Sequence, residues 1–425
     1  MEALDPLEAR GRVLEVTGCS VRATLGVARI GDEVELEIGG GRWLPAEVVA
    51  FRGREIVLLP CGETPGIASG SLVRTTGRRP AVGVGQALAG RVLDAMGRPI
   101  DGGPPLRGLE PWPLERAAPG PLQRGRTGAI LETGVRAVDG LLALGAGQRV
   151  GIFAGPGTGK SMLLGQLARQ TRADAVVVGL VGERSREVRE FVERGLGREG
   201  LARCTVVAAT SDEPALLRLR AALVATALAE WHAVVHGRQV LLLLDSLTRC
   251  ARAQRDVGLA AGEPPVRQGY PPSVFALLPR LLERAGPRER GRVTALYTVL
   301  VAGGDHEEPI ADELRGILDG HLVLDPRRAA QGHFPAIDPL RSLSRLMGEV
   351  AGPRHRAAAA RVRGLLDAWE RVRDLLALGA HVPGADREAD AAVERIGAVE
   401  AFLRQGSDER ADLAETVRAL EELAR

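Results

Sequence analysis

Ala154-Gly155-Pro156-Gly157-Thr158-Gly159-Lys160-Ser161 lies between an apolar run at 148–153 (QRVGIF) and a helical run at 161–170 (SMLLGQLARQ). The first reads as a buried strand and the second as a helix, so the order is strand, glycine-rich loop, Gly-Lys-Ser, helix. That order makes a phosphate-binding loop. Its glycines let successive backbone N–H groups turn inward around phosphate oxygens, and the helix N-terminus adds the positive end of its dipole. Lys160 is placed to reach the β- and γ-phosphates of a nucleotide, and Ser161 to offer a hydroxyl to Mg2+. Ala154 stands where the strict pattern has glycine. Composition sharpens the reading, because the chain has 56 lysines plus arginines and Lys160 is the only lysine. A single lysine dropped at random among the 56 basic positions would fall here about once in 56 trials. A compact ammonium fits between phosphates where a planar guanidinium does not.

At 425 residues the chain has room for two or three domains with cores of their own. A formal net charge of +2 argues against a strongly basic nucleic-acid binder, and 3% aromatics leave few platforms for stacking bases. The four cysteines (Cys19, Cys61, Cys204, Cys250) have no metal-ligand spacing and fit free thiols in a reducing compartment. Met1-Glu2-Ala3-Leu4-Asp5-Pro6 does not read as a secretory signal, and the longest apolar run, 240–244, is far too short to span a bilayer. These features predict a soluble cytoplasmic protein.

Outward from the loop, the chain divides by texture. Residues 1–96 carry short β-prone runs at 12–16, 33–38, 46–51 and 56–59, parted by turns such as Gly39-Gly40-Gly41. They predict a small β-barrel, structural or oligomer-forming rather than ligand-binding. Residues 97–125 are rich in Pro and Gly and read as a linker without regular structure. Over 126–350, continuous apolar runs at 175–181, 204–208 and 240–244 alternate with helical stretches at 185–196 and 214–232. Strands covered on both faces look like this, so the expected core is a doubly wound α/β domain with a mainly parallel sheet. Residues 351–425 are helical in pattern. Leu365, Leu366, Trp369, Val372 and Leu376 recur at helical spacing, and Leu413, Val417, Leu420 and Leu423 form a stripe on the last helix, read as core-facing.

Two strand ends add chemistry. Leu241-Leu242-Leu243-Leu244-Asp245 puts a carboxylate at the end of a buried strand roughly 85 residues past the loop, where a P-loop enzyme needs an acid for Mg2+. Val181-Gly182-Glu183-Arg184 puts Glu183 at another strand end, where α/β sheets hold their ligands. A carboxylate there can polarise the attacking water, and the neighbouring Arg184 can meet a γ-phosphate.

The motifs GIFAGPGTGKS (151–161), GLVGERSREVREFVE (179–193), LLLLDSLTRCARAQR (241–255), ALYTVLV (295–301), ILDGHLVLD (317–325) and GHFPAIDPLRSLSRLM (332–347) follow one another in this order. Together with the long run GLAAGEPPVRQGYPPSVFALLPRLLERAG (258–286), they resemble the type III protein-export ATPases of flagellar and virulence-type systems. These are relatives of the catalytic subunit of rotary ATP synthase. The match is dense over 130–350, weaker over the two ends, and most discriminating in 258–286, which general P-loop proteins lack.

The resemblance implies a RecA-like core that hydrolyses Mg-ATP within a homohexamer. Gly155, Pro156, Gly157, Thr158, Gly159, Lys160, Ser161 and Met162 would bind the nucleotide, with Phe334 stacking on adenine where tyrosine is more usual. Ser161 and Asp245 would hold Mg2+, Glu183 would activate water, and Arg184 and Arg249 would contact the γ-phosphate. Arg345 is similar to the arginine finger that reaches into the neighbouring subunit's site. Implied partners are stalk and stator proteins, export substrates with their chaperones, and the export gate at the cytoplasmic face of the inner membrane. No nucleic acid is expected. Cys250 stands where an aromatic is usual, and Ala302-Gly303-Gly304-Asp305 replaces a more acidic loop. Flagellar and virulence-type export both stay open. Two other classes compete: a non-catalytic nucleotide-binding subunit, which the presence of Glu183 disfavours, and a hexameric RNA translocase, which the low aromatic content and near-neutral charge disfavour.

Overall fold

The computed structural model describes residues 9–301 and 308–425, so the Ala302-Gly303-Gly304-Asp305 loop lies outside the described residues. Six antiparallel strands come first: β1 (Arg10–Thr17), β2 (Ser20–Thr24), β3 (Glu33–Glu37), β4 (Trp43–Arg52), β5 (Glu55–Pro60) and β6 (Leu72–Arg78). They close into a barrel in the order β1-β2-β5-β4-β3-β6. Its interior is filled by alternating residues such as Val21, Ala23, Val34, Leu36, Val48 and Leu58, each at most 1% exposed, the pattern that period-2 side chains of a closed sheet require. Two of these strands, β2 and β6, go beyond the four expected from sequence.

The next strands are β7 (Ala81–Val84), β8 (Val92–Leu93) and β9 (Glu110–Pro113). β9 lies inside the stretch 97–125, which was expected to have no regular structure. Pro111 and Pro113 have no N–H to donate, so this strand is confined to a two-stranded ribbon with β7.

The core sheet uses β10 (Arg149–Ala154), β11 (Ala175–Glu183), β12 (Cys204–Thr210), β13 (Gln239–Asp245), β14 (Gly286–Pro287), β15 (Arg292–Leu300), β16 (Gly320–Leu324) and β17 (Ile337–Ser344). Their order is β17-β16-β10-β15-β13-β11-β12-β8, with β14 added beside β15. All pairs from β16 to β8 are parallel, whereas β14 and β17 pair antiparallel. The expected doubly wound core is therefore observed, and its strands are buried on both faces. Leu242 and Leu244 pack into a layer with the long helix Ala215–His236, while Leu241 and Leu243 face the helix Lys160–Gln170 and the C-terminal helices. Those are Pro353–Ala377, Arg387–Leu403 and Leu413–Leu423, and the last turns Leu420, fully buried, inward. The C-terminal helices thus lie on the same side of the sheet as the loop helix, which matters for the site. All four cysteines are free. Cys250 is fully buried, and that burial pushes its thiol up to about 12. Among the described residues, no helix is long and apolar enough to cross a membrane.

Barrel and core are pinned by Arg220 of the long helix, whose Nη2 lies 3.1 Å from Glu33 Oε1 of β3. Beside this pair a cavity of about 610 Å3 is lined by Glu47, Val48, Glu115, Leu219 and Arg280 among others. Burial pushes the Glu47 carboxyl from its ordinary 4.5 up to about 7, opposed by the charge of Arg220 and helped by Glu115 and Glu33. Between those two values the folded chain holds a proton that the unfolded chain releases. The associated stability is complete below about pH 4.5 and is lost as pH rises through 7. Glu47→Gln removes this dependence, so the melting temperature of the parent protein should fall relative to the variant from pH 5 to pH 8. Parallel melting curves over that range would show that Glu47 titrates normally.

Candidate nucleotide-binding site

Strands β10, β15, β13 and β11 lie side by side, and the carboxyl end of each delivers part of one site. β10 runs into the loop, where Gly157 and Gly159 take φ values of 74° and 80°. Side chains rarely tolerate that region, so glycine is required at both positions. A Cβ added at Gly157 would meet nothing within 4 Å, so the mouth of the loop is open. Thr158, only 1% exposed, donates from Oγ1 to the Gly155 carbonyl at 2.9 Å and fastens the loop across its base. Lys160 starts the helix, and Ser161 and Met162 are exposed in its first turn.

β11 is buried throughout and ends on a bulge. Gly182 has φ 66°, and the pairing with β12 shifts register between Val181 and Glu183. Such a bulge re-aims the side chain that follows it. Glu183 and Asp245 are both nearly inaccessible to water. From β10 to β11 there are three strand spacings, about 14 Å, and the Lys160 side chain spans part of that gap. Its Nζ lies 3.0 Å from Glu183 Oε1 and 2.6 and 2.7 Å from the two oxygens of Asp245. Arg249 comes from helix Leu247–Ala261, whose N-terminus is capped by Ser246, and its guanidinium pairs with Glu183. Its stem packs on Gly182, where an added Cβ would come within 3.2 Å of Arg249 Cδ. Thr298 of β15 donates from Oγ1 to Asp245 Oδ1 at 2.6 Å.

Two cations and two carboxylates thus neutralise one another in a nearly dry place. A buried charge left without its partner is costly, so this arrangement holds Lys160 beside the loop mouth between the two acids. An anion entering the loop competes with both carboxylates for the ammonium.

The other expected residues are spread around this cluster. Phe334 lies against the loop: a Cβ at Gly159 would sit 2.8 Å from its Cε1. Arg184 is exposed, and among the described residues its ion pair is with Glu187, 3.8 Å away, rather than with the cluster. Arg345 follows β17 and is exposed, with Nη2 3.3 Å from the Arg315 carbonyl. Its backbone N–H donates to Asp319, whose own N–H donates to Arg149 at the start of β10. Arg345 is therefore level with the end of the sheet opposite the loop. From Arg149 to Gly155 the strand climbs about 20 Å, beyond the reach of one side chain.

Three residues had no assignment from sequence. Thr298 sits in the quoted run ALYTVLV, but nothing local marks it as the partner of Asp245. Glu187, four residues past Glu183 and in the first turn of helix Ser185–Glu190, has its carboxyl held below the ordinary value, first by a hydrogen bond with Glu183 and then by the charges of Arg249, Arg184 and Lys160, against partial burial. The spacing from Glu183 was the available signal. Gln405, from the C-terminal region, carried none.

Residues 134–344 match the model of the ATP synthase alpha/beta family, nucleotide-binding domain, and residues 351–422 match the T3SS EscN ATPase C-terminal domain. The flagellum-specific ATP synthase of Bacillus subtilis is 48% identical over 425 residues, covering 100% of this chain and 97% of that protein. This chain belongs to the family of flagellar and type III secretion ATPases. The type 3 secretion system ATPase of Sinorhizobium fredii is 49% identical, covering 97% of this chain and 92% of its own. The assembled ATPase EscN of the enteropathogenic E. coli type III secretion system superposes with a TM-score of 0.92 at 42% identity, covering 98% of this chain and all of that one. EscN in complex with its central stalk EscO gives 0.90. As a member of this family the chain is an ATPase with a nucleotide substrate. The self-neutralised cluster lies within the matched nucleotide-binding domain, and Arg345 falls one residue beyond it.

Proposed function

We infer that the chain hydrolyses Mg-ATP in a homohexameric ring at the cytoplasmic face of the inner membrane, energising type III protein export and releasing or unfolding export substrates from their chaperones. Stalk and stator proteins complete the apparatus. The observation that carries the chemistry is the convergence of Lys160, Glu183, Asp245 and Arg249 beside an open phosphate loop. The assembly reading is supported by Arg345, exposed and far from its own loop, and by the relative EscN, described as assembled and in complex with a central stalk.

The donor set fits Mg2+: a buried carboxylate at Asp245, held by Thr298, and the exposed hydroxyl of Ser161 are hard oxygen ligands of the kind that ion takes. When bound, the ion would neutralise charge on the phosphates. The chain's own residues do the rest. Backbone N–H groups of 157–161 cradle the phosphates, and Met162 and Phe334 flank the base. Lys160 leaves the carboxylates for the β- and γ-phosphates, which frees Glu183 to orient and polarise the attacking water. Arg249 keeps Glu183 in place and faces the γ-phosphate, while Arg184 swings in from solvent. Arg345 acts on the next subunit's site. The barrel contributes oligomer contacts.

Glu183→Gln keeps the shape and loses the carboxylate. ATP affinity should survive while kcat drops about 10²- to 10⁴-fold, measured by steady-state turnover beside equilibrium nucleotide binding. Turnover within a few-fold of the parent would mean that Glu183 is not the activating residue, and a scaffold without hydrolysis at this site would gain. Turnover that rises steeply with added RNA would instead favour a translocase.

A further inference from the structure

The segment 404–412, between the last two helices, crosses one face of the loop helix Lys160–Gln170. Arg169 Nη2 donates to the Ser407 carbonyl at 2.9 Å, and Gln170 Nε2 donates to the Glu409 carbonyl at 3.0 Å. At the centre of the crossing is Gln405, only 3% exposed. Its Oε1 accepts from Arg136 N–H at 2.8 Å, an N–H of the first helical turn that has no partner within the helix. Its Nε2 donates to the carbonyls of Gly134 and Glu409, both at 2.7 Å. Gly134 is itself fixed, since its N–H donates to the buried Asp139 carboxylate at 2.9 Å. The side chain of Gln405 is thus tied to the rigid base of the core.

Its main chain faces the other way. Gln405 N–H donates to the Phe334 carbonyl at 2.9 Å, and the Phe334 ring in turn lies on Gly159. Gly159, Met162, Leu163, Phe334, Gln405 and Ser407 line one small recess beside the loop.

We propose that Gln405 is a positioning residue for the nucleobase: its amide clamps segment 404–409 to the core, and the clamped backbone sets where the Phe334 ring stands over the loop. This rests on the reading of Phe334 as the stacking residue. Gln405 lies on the base side of the loop, so its effect should be confined to binding. Base contacts are the same in ground and transition states, and losing them raises KM rather than lowering kcat. The arrangement also ties base affinity to the C-terminal helices, because any displacement of helix Arg387–Leu403 carries segment 404–409 with it.

The test uses the full chain and compares the parent, Gln405→Ala, Phe334→Ala and the double variant. The readouts are steady-state ATP turnover and competitive inhibition by inorganic tripolyphosphate, which has the phosphates and no base. Gln405→Ala should raise KM for ATP about tenfold, the scale of one or two buried hydrogen bonds, with a much smaller change in kcat. The inhibition constant of tripolyphosphate should stay within about twofold, and the double variant should be no worse than Phe334→Ala alone. The proposal is overturned if tripolyphosphate weakens in parallel with ATP, if the two substitutions multiply, or if Phe334→Ala raises KM and Gln405→Ala does not. If Phe334→Ala itself leaves KM unchanged, the stacking reading fails, and the proposal with it. Should Gln405→Ala not fold, Gln405→Glu decides. It keeps the acceptor for Arg136 and loses both donors, so it should show the same rise in KM confined to ATP.

Discussion

Lys160→Ala should abolish turnover, and the structure adds a second consequence that the sequence motif does not contain. The ammonium touches both buried acids, 3.0 Å from Glu183 and 2.6 Å from Asp245. Removing it strips the phosphates of their lysine and, among the described residues, leaves Asp245 with the Thr298 hydroxyl alone, while Glu183 keeps Arg249. Breaking buried ion pairs from one side commonly costs about 3–5 kcal/mol, so the variant should fold but melt at a lower temperature at neutral pH. Lys160→Arg separates the two roles. It restores a cation between the acids and should recover part of the lost melting temperature, yet turnover should stay near background because the planar fork cannot take the place of the compact ammonium. Melting by circular dichroism beside ATP turnover checks both. Parent-like turnover in Lys160→Ala would remove the phosphate-loop assignment.

What was legible in the sequence follows from how local each signal is. The loop, its glycines and Lys160 are contiguous, and the strands carrying Glu183 and Asp245 are apolar runs that end on an acid. What the sequence could not contain is that one lysine bridges acids 23 and 85 positions away. That depends on β15 and β13 lying between β10 and β11 in the sheet, which no single segment specifies. Arg184 makes the opposite point: adjacency to Glu183 in the chain does not bring its guanidinium to the cluster, because the chain turns at the start of helix Ser185–Glu190 and the side chain leaves for solvent. In the barrel, β2 (SVRAT) has only Val21 and Ala23 as inward apolar residues, too short an alternation to stand out from a turn. Gln405 is a polar residue just past a helix and resembles a surface position in every local respect. Its burial arises wholly from the C-terminal helices folding back over the loop helix.

Turnover should require assembly, and Arg345→Ala should remove it without affecting ATP binding by the same chain. Arg345 follows the edge strand β17, level with Arg149 and Asp319 at the end of the sheet opposite the loop. Its own phosphate site is about 20 Å along the strand direction. The guanidinium is exposed, and among the described residues it makes one long hydrogen bond, to the Arg315 carbonyl. A group so placed is available to a neighbouring chain and out of reach of its own loop, so completing an adjacent site is the role its position allows. Where such fingers are supplied in other NTPases they contribute about 10³–10⁵ in rate, and Arg345→Ala should assemble, bind ATP and lose turnover on that scale. The rate of the parent protein should also climb more steeply than linearly with concentration until rings saturate. Mixing provides the sharper measurement. Lys160→Ala supplies intact fingers and dead loops, whereas Arg345→Ala supplies intact loops and no fingers. In mixed rings some interfaces combine the working half of each, so activity should reappear on mixing two inactive preparations whose subunits exchange. Silence in rings proven to be mixed by mass, or full turnover in a verified monomer, would place Arg345 outside the catalytic cycle of its neighbour.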